Sequence, residues 1–410
     1  MEKEHELLKH LFQQEFSKMV AVISSLFGLR HIEIAEDIVS ETFLLATETW
    51  KTKGIPENAT AWLYAVAKQK TLYHFRRNKI FEQKIAPAIK TEVETNDEWE
   101  LDFSQQNIKD SQLQMLFAIC TPAIASEAQI GLALRILCGF SIDEIAEAFL
   151  TNKETINKRL FRAKEKLRTE KIELALPPAY EMAQRLDNVL HIIYLLFNEG
   201  YYSKTKNQIL RKDLCLEAMR LGALLIEYEG TNLPVTNALM ALMCFHASRF
   251  TAREGNEGEM VLYDQQNFTL WDTALINRGW QFLNHSLAGN EISSYHLEAR
   301  IASWHCIKDD STEKWKYILL LYDQLLLISY SPAAALHRVF ALYKATDEKT
   351  ALAEAEKLQL NNNHFYFLLL GELYQNIDAE KARFNLQKAY SLARTQTEKQ
   401  IIQGKIHKLV

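Results

Sequence analysis

Glycine and proline are scarce in this 410-residue chain, 13 and 7 in all. No stretch sustains the alternation of Val, Ile and Thr that a half-buried strand needs. With Leu, Ala, Glu and Lys abundant, these absences exclude a β-sandwich or barrel and leave an all-α fold. Cysteine is sparse as well. Cys120, Cys138, Cys215, Cys244 and Cys306 are odd in number and never spaced as CxxC, which points to buried thiols in a reducing compartment rather than a disulfide framework or a zinc site. Long hydrophobic runs are missing: the most apolar stretch, Tyr317 to Tyr330, is broken by Asp323 and Gln324, and MEKEHELLKH at the start lacks a signal core. A cytoplasmic protein without a membrane span is expected. Gly-rich phosphate loops, HExxH and GxSxG are absent too, so the expectation is a non-enzyme with no cofactor and no metal.

What the chain does have is segregated charge. The net charge is only -5, yet residues 68 to 84 hold six Lys or Arg against one Glu, and residues 153 to 171 hold eight against three. Over residues 92 to 110, Glu92, Glu94, Asp97, Glu98, Glu100, Asp102 and Asp110 oppose Lys109 alone. Segregation on this scale implies separate partners.

Around the second basic cluster, Ser141 with Glu144 and Thr151 with Glu154 each fit the S/T-x-x-E capping box, predicting two helices on either side of a break at 150–152. In the second helix Ile156, Leu160, Ala163 and Leu167 form one apolar face, on which Ile145, Ala146 and Phe149 can pack. This is a helix-turn-helix pattern. A recognition helix presents its first turns to base edges and its later cations to phosphate. Lys153, Glu154, Thr155, Asn157 and Lys158 are thereby candidates for bases, and Arg159, Arg162 and Lys166 for the backbone.

His31 to Trp50 carries five acids and no Lys or Arg. Glu33, Asp37, Glu41 and Glu48 cluster on one side of a helix, with Ile34, Ile38, Val39, Phe43, Leu45 and Trp50 expected to bury. The stripe suits a basic partner surface or simple solvation. Past the turn KTKGIPENAT, the segment AWLYAVAKQKTLYHFRR interleaves Trp62, Tyr64, Tyr73 and Phe75 with Lys68, Lys70, Arg76 and Arg77. Aromatic faces stack on unpaired bases while cations follow phosphate, the chemistry of single-stranded nucleic acid, although some of these rings must serve the core.

AEDIVSETF, PENATAWLYAVAKQKTLYHFRR and the helix-turn-helix together resemble the two domains of a bacterial sigma-70 family factor of the extracytoplasmic-function (ECF) type. The resemblance implies sigma domain 2 over 1–84, an acidic linker over 85–109 that follows the polymerase's RNA exit path, and sigma domain 4 over 110–172. It implies that Glu33, Asp37, Glu41 and Glu48 meet the β′ clamp of core RNA polymerase and that domain 4 meets the β flap. Asn58, Trp62, Lys68, Lys70, Tyr73, Arg76 and Arg77 would hold the melted minus-10 element, and Lys153 to Arg162 would read the minus-35 element. Ser40, Gln69 and Tyr73 stand where the family usually has Gln, Asn and Asp.

Residues 173–410 form an extension read as amphipathic helices, among them Gln184 to Phe197, Asp213 to Tyr228, Pro234 to Ser248 and Thr269 to Leu287. Offset by 31 residues, Leu342-Tyr343 matches Leu373-Tyr374 and Ala351 matches Ala382. LGELY with Ala382, Leu386 and Ala389 approximates a tetratricopeptide (TPR) repeat, predicting TPR-like hairpins over 331–410. YLLFNEGYYSKT, ALMCFHASRF and LYDQQNFTLWD are similar to an ECF group with a fused TPR-like domain, whose members sit near genes for small YCII-related proteins, an implied partner. Asn198, Glu199, Tyr201, His246, Arg249, Asp264 and Trp271 could line a regulatory pocket. Alternatively, Asn198-Glu199-Gly200 ends a helix with Gly200 at positive φ, and His246 and Arg249 satisfy buried carboxylates or carbonyls. The expectation is a sigma factor regulated by its C-terminal domain; the alternative is a helix-turn-helix regulator with a TPR-like sensor.

Overall fold

A computed structural model describes residues 2–85, 101–149, 151–201, 211–255, 261, 263–393 and 396–409. The described residues are helical throughout, with no strand among them, as the low glycine and proline content predicts. The chain divides into two compact units, Met1–Ile192 and Ile193–Val410.

The first unit begins with α1 (Glu2–Phe27), α2 (Ile32–Lys53) and α3 (Ala59–Ile85). Phe16, Met19, Val20 and Ile23 of α1, Val39 and Phe43 of α2, and Leu63 and Ala67 of α3 are all buried. The i, i+3, i+4 and i+7 spacing within α1 puts its four residues on one stripe, and α2 and α3 both pack against this helix. Leu45 departs from expectation: it is 37% exposed, beside Leu44 at 61%. Their positions on α2 follow Asp37 and Glu41 by helical repeats, so they share the outward face rather than the core.

Then come α4 (Gln105–Ile119), α5 (Ser126–Leu132), a π-helical turn over 133–137, α6 (Ile142–Ala148) and α7 (Lys153–Thr169). The acidic stretch 86–100 lies outside the described residues. At its end Leu101 is buried and Phe103 stacks on Tyr64 at 4.7 Å. Ser141 and Glu144 form the expected capping box, with Glu144 N–H donating to the Ser141 hydroxyl at 3.2 Å and Ser141 N–H donating to the Glu144 carboxylate at 2.8 Å. The second box does not form. Asn152 caps α7 instead of Thr151, its side-chain oxygen accepting from Thr155 N–H at 2.8 Å. An Asn side-chain carbonyl one residue further along satisfies the orphan amides as well as a Thr hydroxyl would, and it shifts the helix start by one residue.

In the second unit α8 (Ala179–Tyr201), which starts in the first, is followed by α9 (Lys212–Glu227), α10 (Pro234–Ala247), α11 (Phe250–Arg253), α12 (Thr273–Ser286), α13 (Ser294–His305) and α14 (Thr312–Ile328). Helix α10 is apolar on all sides and packs against α9, α12 and α13. Gly200 does not end a helix at positive φ; it lies within α8, where a Cβ would sit 2.7 Å from both the Arg211 carbonyl and the Cys215 sulfur. Close backbone approach, not turn geometry, requires glycine there.

The tail comprises α15 (Pro332–Ala345), α16 (Glu348–Lys357), α17 (His364–Tyr374), α18 (Ala379–Leu392) and α19 (Gln396–His407). Each packs on the next, giving two helical pairs and a closing helix, a TPR-like arrangement. Leu342 and Leu373 bury at equivalent places, as do Ala351 and Ala382, so the 31-residue offset marks a structural repeat.

Candidate nucleic-acid interface

Helix α7 is divided lengthwise. Ile156, Leu160, Ala163 and Leu167 are buried, while Lys153, Glu154, Thr155, Asn157, Lys158 and Arg162 are exposed. Capping by Asn152 leaves the first turn rigid and its side chains pointing outward. Arg159 is half-buried, its guanidinium 5.5 Å from the Phe149 ring and 3.8 Å from Glu127. Lys153 pairs with Asp143 at 2.7 Å and Lys158 with Glu154 at 2.6 Å; all four side chains are mostly exposed, so these pairs exchange readily for phosphate or base contacts. Phe161, 62% exposed, adds an apolar contact on the same helix that the sequence reading passed over.

Helix α3 sorts its aromatics. Trp62 is half-buried with its ring edge-on to Trp50 at 5.4 Å, Tyr64 donates to Glu15 and stacks on Phe103, and Phe75 stacks on Phe27 at 4.4 Å. Burial and the Glu15 carboxylate both push the Tyr64 phenol up. Only Tyr73 among these four is largely exposed, at 68%, with exposed Arg76 on the following turn. Lys68 is half-buried, and Lys70 donates to Glu41 at 2.8 Å. Asn58 caps α3 by accepting from Ala61 N–H at 2.9 Å. The side chain of Arg77 lies outside the described residues.

On α2, Asp37, Glu41 and Glu48 are exposed and flank Leu44 and Leu45, so the face is apolar at its centre and acidic at its margins. Glu33, one turn before Asp37 on the same side, accepts from Arg168 of α7 at 2.7 Å. Glu36, absent from the sequence-derived set, is buried between Arg135 and Lys164.

In the second unit, the expected regulatory residues gather around two tyrosines. Tyr201 is buried, with His246 at 4.6 Å between ring centres, the Arg253 guanidinium 3.9 Å from its ring and Arg249 donating to its hydroxyl at 3.4 Å. Tyr263 adjoins Arg249, Trp271 and His305, and its hydroxyl donates to the His305 carbonyl at 3.0 Å while accepting from Lys314 at 3.2 Å. Asn198 and Glu199 are half-buried on the last turn of α8; Tyr202 and the side chain of Asp264 lie outside the described residues. Burial, then the neighbouring Arg249, Arg253 and His305, drives the His246 imidazole well below its usual range; burial, then Arg249 and Lys314, does the same to His305. The Nδ1 atoms of both rings are shielded from solvent and lack a hydrogen-bond partner among the described residues, so His246 does not satisfy a buried carboxylate through Nδ1.

Arg253, Tyr263, His305 and Lys314 were missed because nothing in their local pattern marks them. Lys314 occupies an ordinary first-turn position on α14 and is recruited only because the preceding loop folds back, its ammonium reaching the carbonyls of Ile307 and Asp309 at 3.0 and 2.6 Å. Among the described residues, no group of three or more His, Cys, Asp or Glu is placed to hold a metal, and no helix is long and apolar enough to cross a membrane.

Comparison with known proteins adds three family matches: sigma-70 region 2 over residues 11–80, sigma-70 region 4 over 130–167, and a family of unknown function (DUF6596) over 185–287. An uncharacterized protein of Rhizobium meliloti (strain 1021) is 30% identical over 377 residues, covering 90% of this chain and 88% of the relative. No solved structure matches.

Proposed function

The chain belongs to the sigma-70 family, whose role is transcription initiation, and we propose that it is an ECF-type sigma factor controlled by its own C-terminal helical domain. In this reading Asp37, Glu41 and Glu48, with Leu44 and Leu45 between them, dock α2 on the β′ clamp of core RNA polymerase. Apolar contact supplies affinity there, and the acids orient the encounter. Domain 4, residues 110–172, meets the β flap and turns the first turns of α7 to the minus-35 duplex. Lys153, Glu154, Thr155, Asn157 and Lys158 read bases, while Arg159 and Arg162 hold phosphate. Domain 2, residues 1–84, captures the melted minus-10 strand through Asn58, Trp62, Lys68, Lys70, Tyr73, Arg76 and Arg77. Nothing in this mechanism is catalytic: binding energy to the opened strand shifts the equilibrium of duplex melting. Residues 173–410 act as the regulatory domain, with the cluster around Tyr201 and Arg249 as its candidate control point.

The observation that carries the reading is the pairing of two different nucleic-acid surfaces in one chain: a rigidly capped, polar-faced α7 suited to a major groove, and an exposed ring with neighbouring cations on α3 suited to unstacked bases. Run-off transcription on genomic fragments, with core polymerase of the same organism and this protein, tests it. New start sites that depend on the protein are expected. Duplex binding in a gel shift without any dependent transcript favours a helix-turn-helix regulator instead.

A further inference from the structure

One cluster in the second unit is assembled from segments far apart in the chain: Tyr201 ends α8, His246 and Arg249 lie at the end of α10, Trp271 precedes α12 and His305 ends α13. Tyr263 links them, with His305 at 5.2 Å and Trp271 at 6.3 Å between ring centres and the Arg249 guanidinium 5.6 Å from its ring. Three side-chain nitrogens in the cluster, His246 Nδ1, His305 Nδ1 and Trp271 Nε1, are shielded from solvent and have no hydrogen-bond partner among the described residues. Trp271 as a whole is only 5% exposed. Buried polar atoms are nearly always paired, so three in one place mark a site for a partner of complementary chemistry. Trp315 shows what the same unit does with a buried indole: its Nε1–H donates to the Asp310 carboxylate at 2.5 Å.

The local charge favours an anion. Burial, with Arg249 and Arg253 beside His246 and with Arg249 and Lys314 beside His305, keeps both imidazoles neutral. A neutral imidazole still donates through one nitrogen, and an indole donates only. Lys314 is committed elsewhere: its three protons go to the Tyr263 hydroxyl at 3.2 Å and to the carbonyls of Ile307 and Asp309 at 3.0 and 2.6 Å. It fixes Tyr263 and adds positive potential without touching a ligand. The planar guanidinium fork matches the two oxygens of a carboxylate, whereas a phosphate usually draws on several cations or a row of backbone amides. The rings of Tyr201, Tyr263 and Phe268 suit an apolar body behind the charged group. We propose that this cluster binds a small organic carboxylate, held by the Trp271 Nε1–H, the Arg249 guanidinium and an imidazole N–H, and that the bound anion is the signal the C-terminal domain reads. The signalling half rests on the regulatory reading of residues 173–410; the binding half does not.

Calorimetric titration of the full-length protein with acetate and with benzoate, and with inorganic phosphate alongside, tests the site. Saturable binding of at least one carboxylate, tighter than that of phosphate, is expected. Trp271→Phe keeps a ring and removes the donor; it is expected to weaken binding about tenfold, the usual worth of a hydrogen bond to a charged group. Arg249→Lys, which keeps the charge and loses the fork, should weaken it at least as much, and if that variant fails to fold Trp271→Phe decides alone. No saturable binding of either carboxylate, tighter binding of phosphate, or unchanged affinity in Trp271→Phe overturns the proposal. Run-off transcription with and without the probe that binds then separates the site from its role. A change in transcript yield that Trp271→Phe diminishes is expected. Binding without any change in yield keeps the site and removes its control of transcription, and an absence of transcripts under every condition removes the sigma-factor reading while calorimetry still decides the site.

Discussion

Asn152 and Thr155 define where α7 begins: the side-chain oxygen of the first accepts from the backbone N–H of the second at 2.8 Å. Because Lys153 to Lys158 are the first residues beyond this cap, their presentation depends on it. Asn152→Ala is expected to cost about 1 kcal/mol of stability in denaturant unfolding. Thr151→Ala, at a residue that does not supply the cap, is expected to stay within roughly 0.5 kcal/mol of the parent. Equal effects at both positions would contradict the capping assignment.

On α3, exposure separates the rings that hold the fold from the ring left for a ligand. Tyr73→Ala should leave thermal unfolding nearly unchanged yet weaken binding of a single-stranded oligonucleotide by about 1–3 kcal/mol, measured by fluorescence anisotropy. Phe75→Ala, which loses the stack on Phe27, should instead lower the melting temperature. A reversed pattern would mean that Tyr73 is structural.

The outward face of α2 predicts a similar split. Asp37→Lys with Glu41→Lys is expected to abolish association with core polymerase in a pull-down, and Leu44→Ala, at an exposed site, to weaken it while leaving helicity and melting intact. Retained binding by the charge-reversed protein would remove α2 as the docking element.

The two imidazoles beside Arg249 make the second unit acid-sensitive. Both are held well below the usual value of 6.5, so the unfolded chain takes up protons first and stability is lost as pH falls below about 6.5. His246→Phe removes one of these groups. Its unfolding midpoint relative to the parent should therefore stay level from pH 8 to about 7 and rise as pH falls below about 6.5; a constant difference down to pH 5 would show that His246 does not titrate on unfolding.

Gly371 of the LGELY segment faces Leu386 so closely that a Cβ would lie 2.7 Å from its Cγ and Cδ2. Gly371→Ala should destabilise the tail by about 1–3 kcal/mol in chemical denaturation, the usual cost of overpacking. Gly404→Ala, where no atom lies within 4 Å, should not.

Local pattern made much of this molecule legible. Helical class follows from composition, and the buried face of α7 follows from the spacing of Ile156, Leu160, Ala163 and Leu167, because period and side-chain direction are properties of the helix itself. The Ser141 box was visible for the same reason: all its partners lie within one turn. Where two local solutions compete, pattern fails, as at Thr151 and Asn152, since either side chain can reach the orphan amides and the path of the preceding loop decides. Leu45 was misplaced because a leucine on a helix carries no mark distinguishing core from docking face.

Determined by the sequence alone, then, were the helices and the segregation of charge among them, both of which depend on residues close together in the chain. Tertiary structure alone decided which of those charges are spent inside the molecule. Glu36 and Lys164, 128 positions apart, meet only because α7 is seated against the start of α2. Arg249, Tyr263 and Lys314, spread over 65 positions, meet only because the Tyr263 ring lies beside the Arg249 guanidinium and its hydroxyl accepts from Lys314. Ion pairing and ring contact fall off within a few ångströms, and separation along the chain says nothing about separation in space.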